Sequence, residues 1–527
     1  MKASLPDRLA QTARSFGGGF GQWQLCVVFA LFWGSYLFLC PAVFPDVWTS
    51  LLQNGADDPL FPYLTGFAVL AASYFAAWSA LGRAQDKHLV LASVFILALA
   101  PRLWVVSTGW CQPYYDFLRY LQFGQHFAAG DFKWIADQIA AYVVSIPTLG
   151  GVAVFFGVLC KLFTPTLFGV QLAGALMSSG ICLLIAVFLW DYGQKTATLA
   201  ALLYALYPGS VVSAAIVTNH HGAVFLFMLA LLCSKKYLAA GRFRWRALWA
   251  FFCGVLLCAS NLVHPSVVVV LASLYLFTFI VICENGWRER KLLSKANGAI
   301  AACLLIVLAV YAALMPASVS ALRKSGLIYS ERSTTLLFKL VLGFNQASRG
   351  RFFEPDVRYI NGFPYGEQRQ VALNMIRERL ASPEEARDLM VYKVWHTFFA
   401  PDEYFVWFYA GQEAKCIEDA KQGLDDTQDR AEYSYLKDLM TNAGLLDQLF
   451  LRIIYLLAVA GALLKPKRLR ADLLPVFMYI ALGWALVIML TEEQSRYRYP
   501  AMPAFFMLAA VGLAGCWKIA KAARGKN

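Results

Sequence analysis

Leu89–Ser107, LVLASVFILALAPRLWVVS, is followed four residues later by Gln112–Phe117, QPYYDF. A helix rises 1.5 Å per residue, so about 20 apolar residues cross the hydrocarbon core of a bilayer. The run carries one charge, Arg102, near its end, and reads as a transmembrane helix. QPYYDF then opens a loop at the membrane surface. Its carboxylate has two readings: Asp116 caps the helix that follows, or it does chemistry.

The same signal recurs along the chain. Of 527 residues, 59% are hydrophobic and only 15% charged, and the mean hydropathy is +0.54. A soluble domain of this length does not need so much apolar surface, so the expected class is an all-α polytopic membrane protein. Spans are expected at 24–44, 61–80, 89–107, 143–163, 167–190, 216–234, 247–263, 266–284, 297–316, 447–464, 472–490 and 500–517. No short apolar region with a small-residue cleavage site opens the chain, so Leu25–Phe44 reads as a retained span behind Lys2, Arg8 and Arg14.

The net charge of +13 marks topology rather than nucleic-acid binding, because the excess falls in short clusters between spans. These are the N-terminus, Arg83 with Lys87, Lys235–Arg246, Arg288–Lys295, Lys465–Arg470 and Lys518–Lys526. The positive-inside rule makes all of them cytoplasmic and puts both termini inside. Ala197–Val217 disturbs this count, since a further crossing there would put Lys235–Arg246 outside. The break at Tyr207-Pro208-Gly209 suits a re-entrant or interfacial piece.

The resulting plan has an N-terminal hairpin (1–88), a transmembrane module (89–316) with an external loop (108–142), a soluble external region (317–446) and C-terminal spans (447–527). Region 317–446 alone has soluble composition, and Ser382-Pro383-Glu384-Glu385 is a helix start, so a small, mostly helical external domain is expected. The twelve cysteines show neither CxxC nor His-flanked spacing. Cys111 and Cys416 both fall in external segments, where a disulfide between them is one option.

Four polar clusters converge on the external face: Tyr114–Tyr120 around Asp116, Thr218-Asn219-His220-His221, Asn261–Pro265 around His264, and Glu492–Pro500 with Arg496, Tyr497 and Arg498. Ionisable groups at membrane depth are costly and mark sites or pathways. Each cluster also has a plain structural reading: a helix cap, backbone-bonded histidines, a helix-breaking turn, or arginines reaching lipid phosphates. A zinc site from His220, His221 and His264 is disfavoured because adjacent histidines seldom share one ion. Taken together, a carboxylate can accept a proton from an attacking hydroxyl, and arginines can hold a phosphate leaving group. That suits group transfer from a lipid-phosphate donor.

The order of these residues resembles the GT-C superfamily of polyprenyl-phosphate-sugar-dependent glycosyltransferases. The resemblance is to the bacterial group of protein O-mannosyltransferases and the lipid A aminoarabinose transferase. It covers 89–316 and 472–517. It rests on Arg102, Asp116, Phe117 and Tyr120; Leu167-Phe168-Gly169; Ala205-Leu206-Tyr207-Pro208; Gly254 to His264-Pro265; Gly343-Phe344-Asn345 with Gly350; and Arg496 to Pro503.

The resemblance implies a GT-C-like bundle of about 12–13 helices and an inverting transferase in a bacterial inner membrane. Sugar would pass from a polyprenyl-phosphate carrier to an envelope glycan, lipid or protein on the periplasmic face. Asp116 would be the base, and Arg496, Arg498 and His264 the donor-phosphate contacts. Tyr115, Tyr120, Asn219, His220, His221, Tyr497 and Asp356 would line the substrates, with Glu354 beside Asp356. Asn219 and His220 stand where many relatives carry an acidic residue, so no metal is indicated, although a divalent ion is compatible with the family. No P-loop or Rossmann glycine pattern occurs.

Two further readings stay open. A lipid-linked oligosaccharide ligase or polymerase would share this architecture. A transporter or flippase would place matching halves around midplane polar groups, and neither feature is visible.

Overall fold

The computed structural model describes residues 32–33, 61–141, 148–289, 294–329, 335–422, 427–464 and 473–524. The span at 24–44 apart from 32–33, much of the hairpin 1–88, the basic cluster 465–470 and both termini lie outside the described residues. Among the described residues every regular element is a helix, and eight helices are long and apolar enough to cross a membrane. The chain is an all-α polytopic membrane protein.

Helices α1 (Phe61–Leu81) and α2 (Lys87–Ser107) follow one another across a short turn, the second started by Asp86 accepting from the His88 and Leu89 amides. Short helices α3 (Asp116–Ala129), α4 (Phe132–Ala140) and α5 (Thr148–Leu162) follow. The chain then runs through α6 (Leu167–Leu189), α7 (Gln194–Leu206), the single turn α8 (Pro208–Val212), and α9 (His220–Ala239). Next come α10 (Phe243–Val263), α11 (Val267–Glu289) and α12 (Lys295–Lys324).

The end of the bundle holding residues 81–87, 188–195 and 235–246 is tied by polar contacts. Gln194 donates to Leu81 O and Ala84 O, Lys235 pairs with Asp191 at 2.8 Å, and Lys87 lies over the Trp190 ring. The basic clusters Arg83/Lys87 and Lys235–Arg246 therefore share one end. At the other end Gln171 donates to Cys111 O and Ala215 O, and Asn219 donates to Val263 O.

These two sets of contacts correct the expected topology at two places. The 194–215 segment starts against Leu81 and finishes against Gln171, so it runs beside α6 from its Leu189 end to Gln171, about 27 Å at 1.5 Å per residue. Its two pieces, α7 and 208–215, meet at 65°, and their far ends touch opposite ends of the bundle rather than the same one. Pro208 forces the break, because it holds Tyr207 in an extended conformation (ψ 112°) and lacks an amide.

Conversely, the described part of 143–163, residues 148–163, lies along one end of the bundle. Its described helix, α5, has 15 residues, too few for the hydrocarbon core, and it packs along α3. Gly151 abuts Leu262 O and Gly124 abuts Cys160, while Gln125 donates to Pro165 O. Helix α5 thus lies among elements of the polar-cluster end. The two changes cancel, which is why counting charges still put Lys235–Arg246 on the same end as Arg83 and Lys87.

Region 317–446, a cap at one end of the bundle, contains α13 (Thr335–Gly343), α14 (Glu354–Asn361), α15 (Tyr365–Arg379), α16 (Pro383–Phe399) and α17 (Glu403–Lys421). The first three of these share a small core of Phe338, Val341, Leu342, Val357, Ile360 and Ala372. The boundaries drawn at 316 and 446 fall inside continuous helices. Helix α12 continues to Lys324, and α18 (Thr427–Leu463) is one 37-residue helix joining cap to bundle. Polar residues there keep the helical backbone going past the apolar zone.

Helices α19 (Leu474–Leu490) and α20 (Met502–Arg524) complete the bundle. Trp33 is fully buried, 4.6 Å from the Phe398 ring and 4.8 Å from that of Phe505. Arg102 ties α2 to α6 and α8 through Ser178 at 2.8 Å and Ser210 at 2.5 Å.

The seam between α18 and α20 needs glycine. A Cβ at Gly461 would lie 1.9 Å from Leu508 O, and one at Gly512 would lie 2.1 Å from Leu457 O. Gly461→Ala must push two backbones apart, and is expected to destabilise the bundle by about 1–3 kcal/mol. A lowered thermal midpoint in detergent is the readout; an unchanged midpoint would contradict the seam.

Candidate functional site

The convergence expected from sequence is met at one point. The turn Ser495–Ala501, a tight 3₁₀ segment leading into α20, carries Arg496 toward the start of α3. Arg496 Nη2 lies 3.9 Å from Asp116 Oδ2. The Asp116 side chain is 46% exposed and Arg496 only 11%, so a carboxylate open to a ligand faces a nearly buried cation. Aromatic rings hold the guanidinium: Phe117 at 5.2 Å, Tyr497 at 5.7 Å and Trp407 at 5.8 Å.

Asp116 is not the cap of α3. Tyr115 holds that position and makes no side-chain cap bond. Its φ is +46°, a conformation costly to a residue with a Cβ. This strain, of order 1–3 kcal/mol, sits immediately before the carboxylate, and the exposed Tyr115 ring packs on Tyr114 and Trp407. Tyr120, one turn along α3, stacks on Phe156 of α5 at 5.6 Å.

The histidines divide by role. His221 is structural: its Nε2–H donates to Ser213 O (3.0 Å) and its Nδ1 accepts from the Tyr499 hydroxyl (2.6 Å). Both nitrogens are engaged, so it has none left for a metal. His220 Nδ1 is 2.5 Å from the Tyr404 hydroxyl, and its ring meets that of His264 at 4.7 Å. Burial, with the cations Lys339 and Arg496, pushes His264 down to about 3, so its imidazole is neutral. Two buried nitrogens, His264 Nδ1 and Arg496 Nε, have no hydrogen-bond partner among the described residues. Buried polar atoms are seldom left so; Arg496 stands beside Asp116, and His264 is close enough to Arg496 and Lys339 to feel both cations.

Two expected contacts lie elsewhere. Arg498 is fully buried: Nη2 is 2.6 Å from Asp447 and 3.3 Å from Asp402, Nη1 donates to Ala400 O, and Nε donates to the Tyr207 hydroxyl. No donor remains for a phosphate, so the structure gives Arg498 a structural place. Asp447 also accepts from the Gly209 amide, satisfying backbone freed by the break at Pro208. Asp356 is buried in the cap, taking Asn345 Nδ2 at 2.7 Å and Arg379 Nη2 at 2.8 Å; neighbouring Glu354 pairs with Arg358. Asn219 holds Val263 O at 2.7 Å, joining α9 to α10 at the edge of the cleft.

Several site residues were missed from sequence. Lys339 pairs with Glu492 and lies 5.7 Å from the Tyr497 ring, whose other neighbour is Arg496. The available signal was a lone cation in the apolar helix TLLFKLVLG. Glu403, Tyr404 and Trp407 reach the cleft from α17, and only the aromatic run after Asp402 hinted at them. Glu493 accepts from His396 (2.7 Å) and Thr397 (3.1 Å), and Lys393 donates to Gly343 O and Met489 O, both at 2.8 Å. These bonds dock α16 onto the 490–501 turn.

Cys111 is a buried free thiol, so the Cys111–Cys416 disulfide does not form. No group of three or more His, Cys, Asp or Glu side chains able to hold a metal occurs among the described residues. No protein-family model and no curated protein matches the chain.

Proposed function

We propose that the protein is an inverting glycosyltransferase that moves a sugar from a polyprenyl-phosphate carrier to an acceptor of the cell envelope. The observation that carries this reading is the half-exposed Asp116 beside nearly buried Arg496, at the end of an apolar bundle, with unpaired His264 Nδ1 and Arg496 Nε in the same cleft. Asp116 takes the acceptor's hydroxyl proton as that oxygen attacks the anomeric carbon. Arg496 and its aromatic collar receive the phosphate leaving group, and neutral His264 donates a hydrogen bond. Lys339 adds a second cation within reach of Tyr497. Asp116 is the base of a single displacement.

The cleft and the basic residues Lys87, Lys235 and Lys236 lie at opposite ends of the bundle. By the positive-inside rule this favours an external, periplasmic cleft in a bacterial inner membrane. A donor carried by lipid reaches such a site without a nucleotide pocket. The test is transfer by the full chain in proteoliposomes supplied with polyprenyl-phosphate mannose or aminoarabinose and crude envelope acceptor. Product is expected from lipid-linked sugar and none from free nucleotide sugar. Transfer from diphosphate-linked oligosaccharide alone would favour the ligase reading, and transfer from soluble nucleotide sugar would overturn both.

A further inference from the structure

Two acidic side chains from different elements act electrostatically on Arg496, Asp116 and Glu403, and the mechanism above uses only one. We propose that Glu403 is a catalytic acid that gives its proton to the departing phosphate while Asp116 takes one from the acceptor, an inference that rests on the transferase reading. Glu403 is the first residue of α17, and its amide donates to Ser495 Oγ at 2.8 Å, which fixes it next to the Arg496 turn. Trp407, four residues on, shares its helix face. That ring lies 5.8 Å from the Arg496 guanidinium and 5.5 Å from Phe117, the neighbour of Asp116. The face of α17 bearing Glu403 is therefore aimed at the guanidinium that would hold the phosphate.

The charged groups around Glu403 are Arg496 and Glu493 of the 491–501 turn, Asp402 of its own segment, and Arg351 of the cap. Burial raises its carboxyl, Arg496 and Arg351 oppose, Glu493 and Asp402 reinforce, and the result is about 7. A phosphate monoester has its second pKa near 6 (about 6 for phosphoserine), so a proton passes between the two groups at little cost. Near neutral pH Glu403 carries the proton an arriving phosphate needs.

The step balances. The acceptor oxygen bonds to the anomeric carbon and its proton goes to Asp116. The carbon–oxygen bond to phosphate breaks, its electron pair stays on the phosphate oxygen, and that oxygen takes the Glu403 proton. Afterwards Asp116 is protonated and Glu403 ionised, and exchange of one proton with water resets both.

Every donor of this class leaves the same polyprenyl phosphate, so the test does not need the sugar to be known. Undecaprenyl phosphate is titrated into the full chain in nanodiscs. For the wild type, affinity is expected to fall about tenfold per pH unit above about pH 7, where Glu403 loses the proton it shares with the phosphate. Glu403→Gln, which keeps a donor and never ionises, should bind without that alkaline limb. An identical limb in Glu403→Gln overturns the proposal and leaves the transferase reading standing. No binding to the wild type at any pH overturns the transferase reading itself. If Glu403→Gln does not assemble, Glu403→Asp carries the test: it retains a titrating proton, and loss of its limb would sink the idea.

Discussion

Asp116→Asn is expected to reduce transfer by about 10²–10⁴-fold, the range a positioned general base supplies. The side chain keeps its shape but can no longer accept the acceptor's proton. The loss should appear in kcat with little change in KM, because the missing interaction is made in the transition state. Stability should hardly move. At 3.9 Å the pair with Arg496 is longer than a hydrogen bond, and Asp116 is half exposed, so its removal costs little. Asp116→Glu restores a carboxylate displaced by one methylene and should recover part of the rate. Undiminished transfer by Asp116→Asn, measured in proteoliposomes with polyprenyl-phosphate sugar, would remove Asp116 from the base role.

Arg498→Met is expected to act on the fold, with a loss of about 3–5 kcal/mol, the cost of removing one partner from a buried ion pair. It strands two fully buried carboxylates, Asp402 and Asp447, that share one guanidinium. It also frees the Ala400 carbonyl and the Tyr207 hydroxyl. The measurement is the yield and thermal midpoint of purified protein. Combining Arg498→Met with Asp402→Asn and Asp447→Asn should recover part of the loss, because no uncompensated charge then remains. A normal midpoint with selective loss of transfer would instead return Arg498 to the donor phosphate.

The helical class and the converging clusters were legible in sequence because both rest on composition and on long apolar runs. What misled was local. Ala197–Val217 looked like a detour because Tyr207-Pro208-Gly209 breaks it, yet Asp447, 238 residues away, closes that break and lets the segment run end to end. Residues 143–163 looked like a crossing because helix α5 is as apolar as its neighbours, and only its packing on α3 shows that it lies at one end. Asp116 and Arg496 could be paired from sequence because each stands in a short polar cluster beside a span. Arg498, two residues from Arg496, has the same local signal and the opposite environment, which tertiary packing alone decides. Glu403 and Lys339 sit in the cap, where charged residues are ordinary, and the faint local signals beside them, an aromatic run and an apolar helix with one lysine, do not say which cluster they join.

The single helix Thr427–Leu463 has a mechanical consequence. At 1.5 Å per residue it is a rod about 55 Å long, clamped near one end by the close backbone contact of Gly461 with Leu508. Tyr433, near the tip, bonds Glu413 of α17, the helix that also bears Glu403 and Trp407. The rod is pinned a second time in mid-length, where Asp447 holds Arg498 and the Gly209 amide, so the α17 wall beside Arg496 rests on one stiff strut rooted in the bundle.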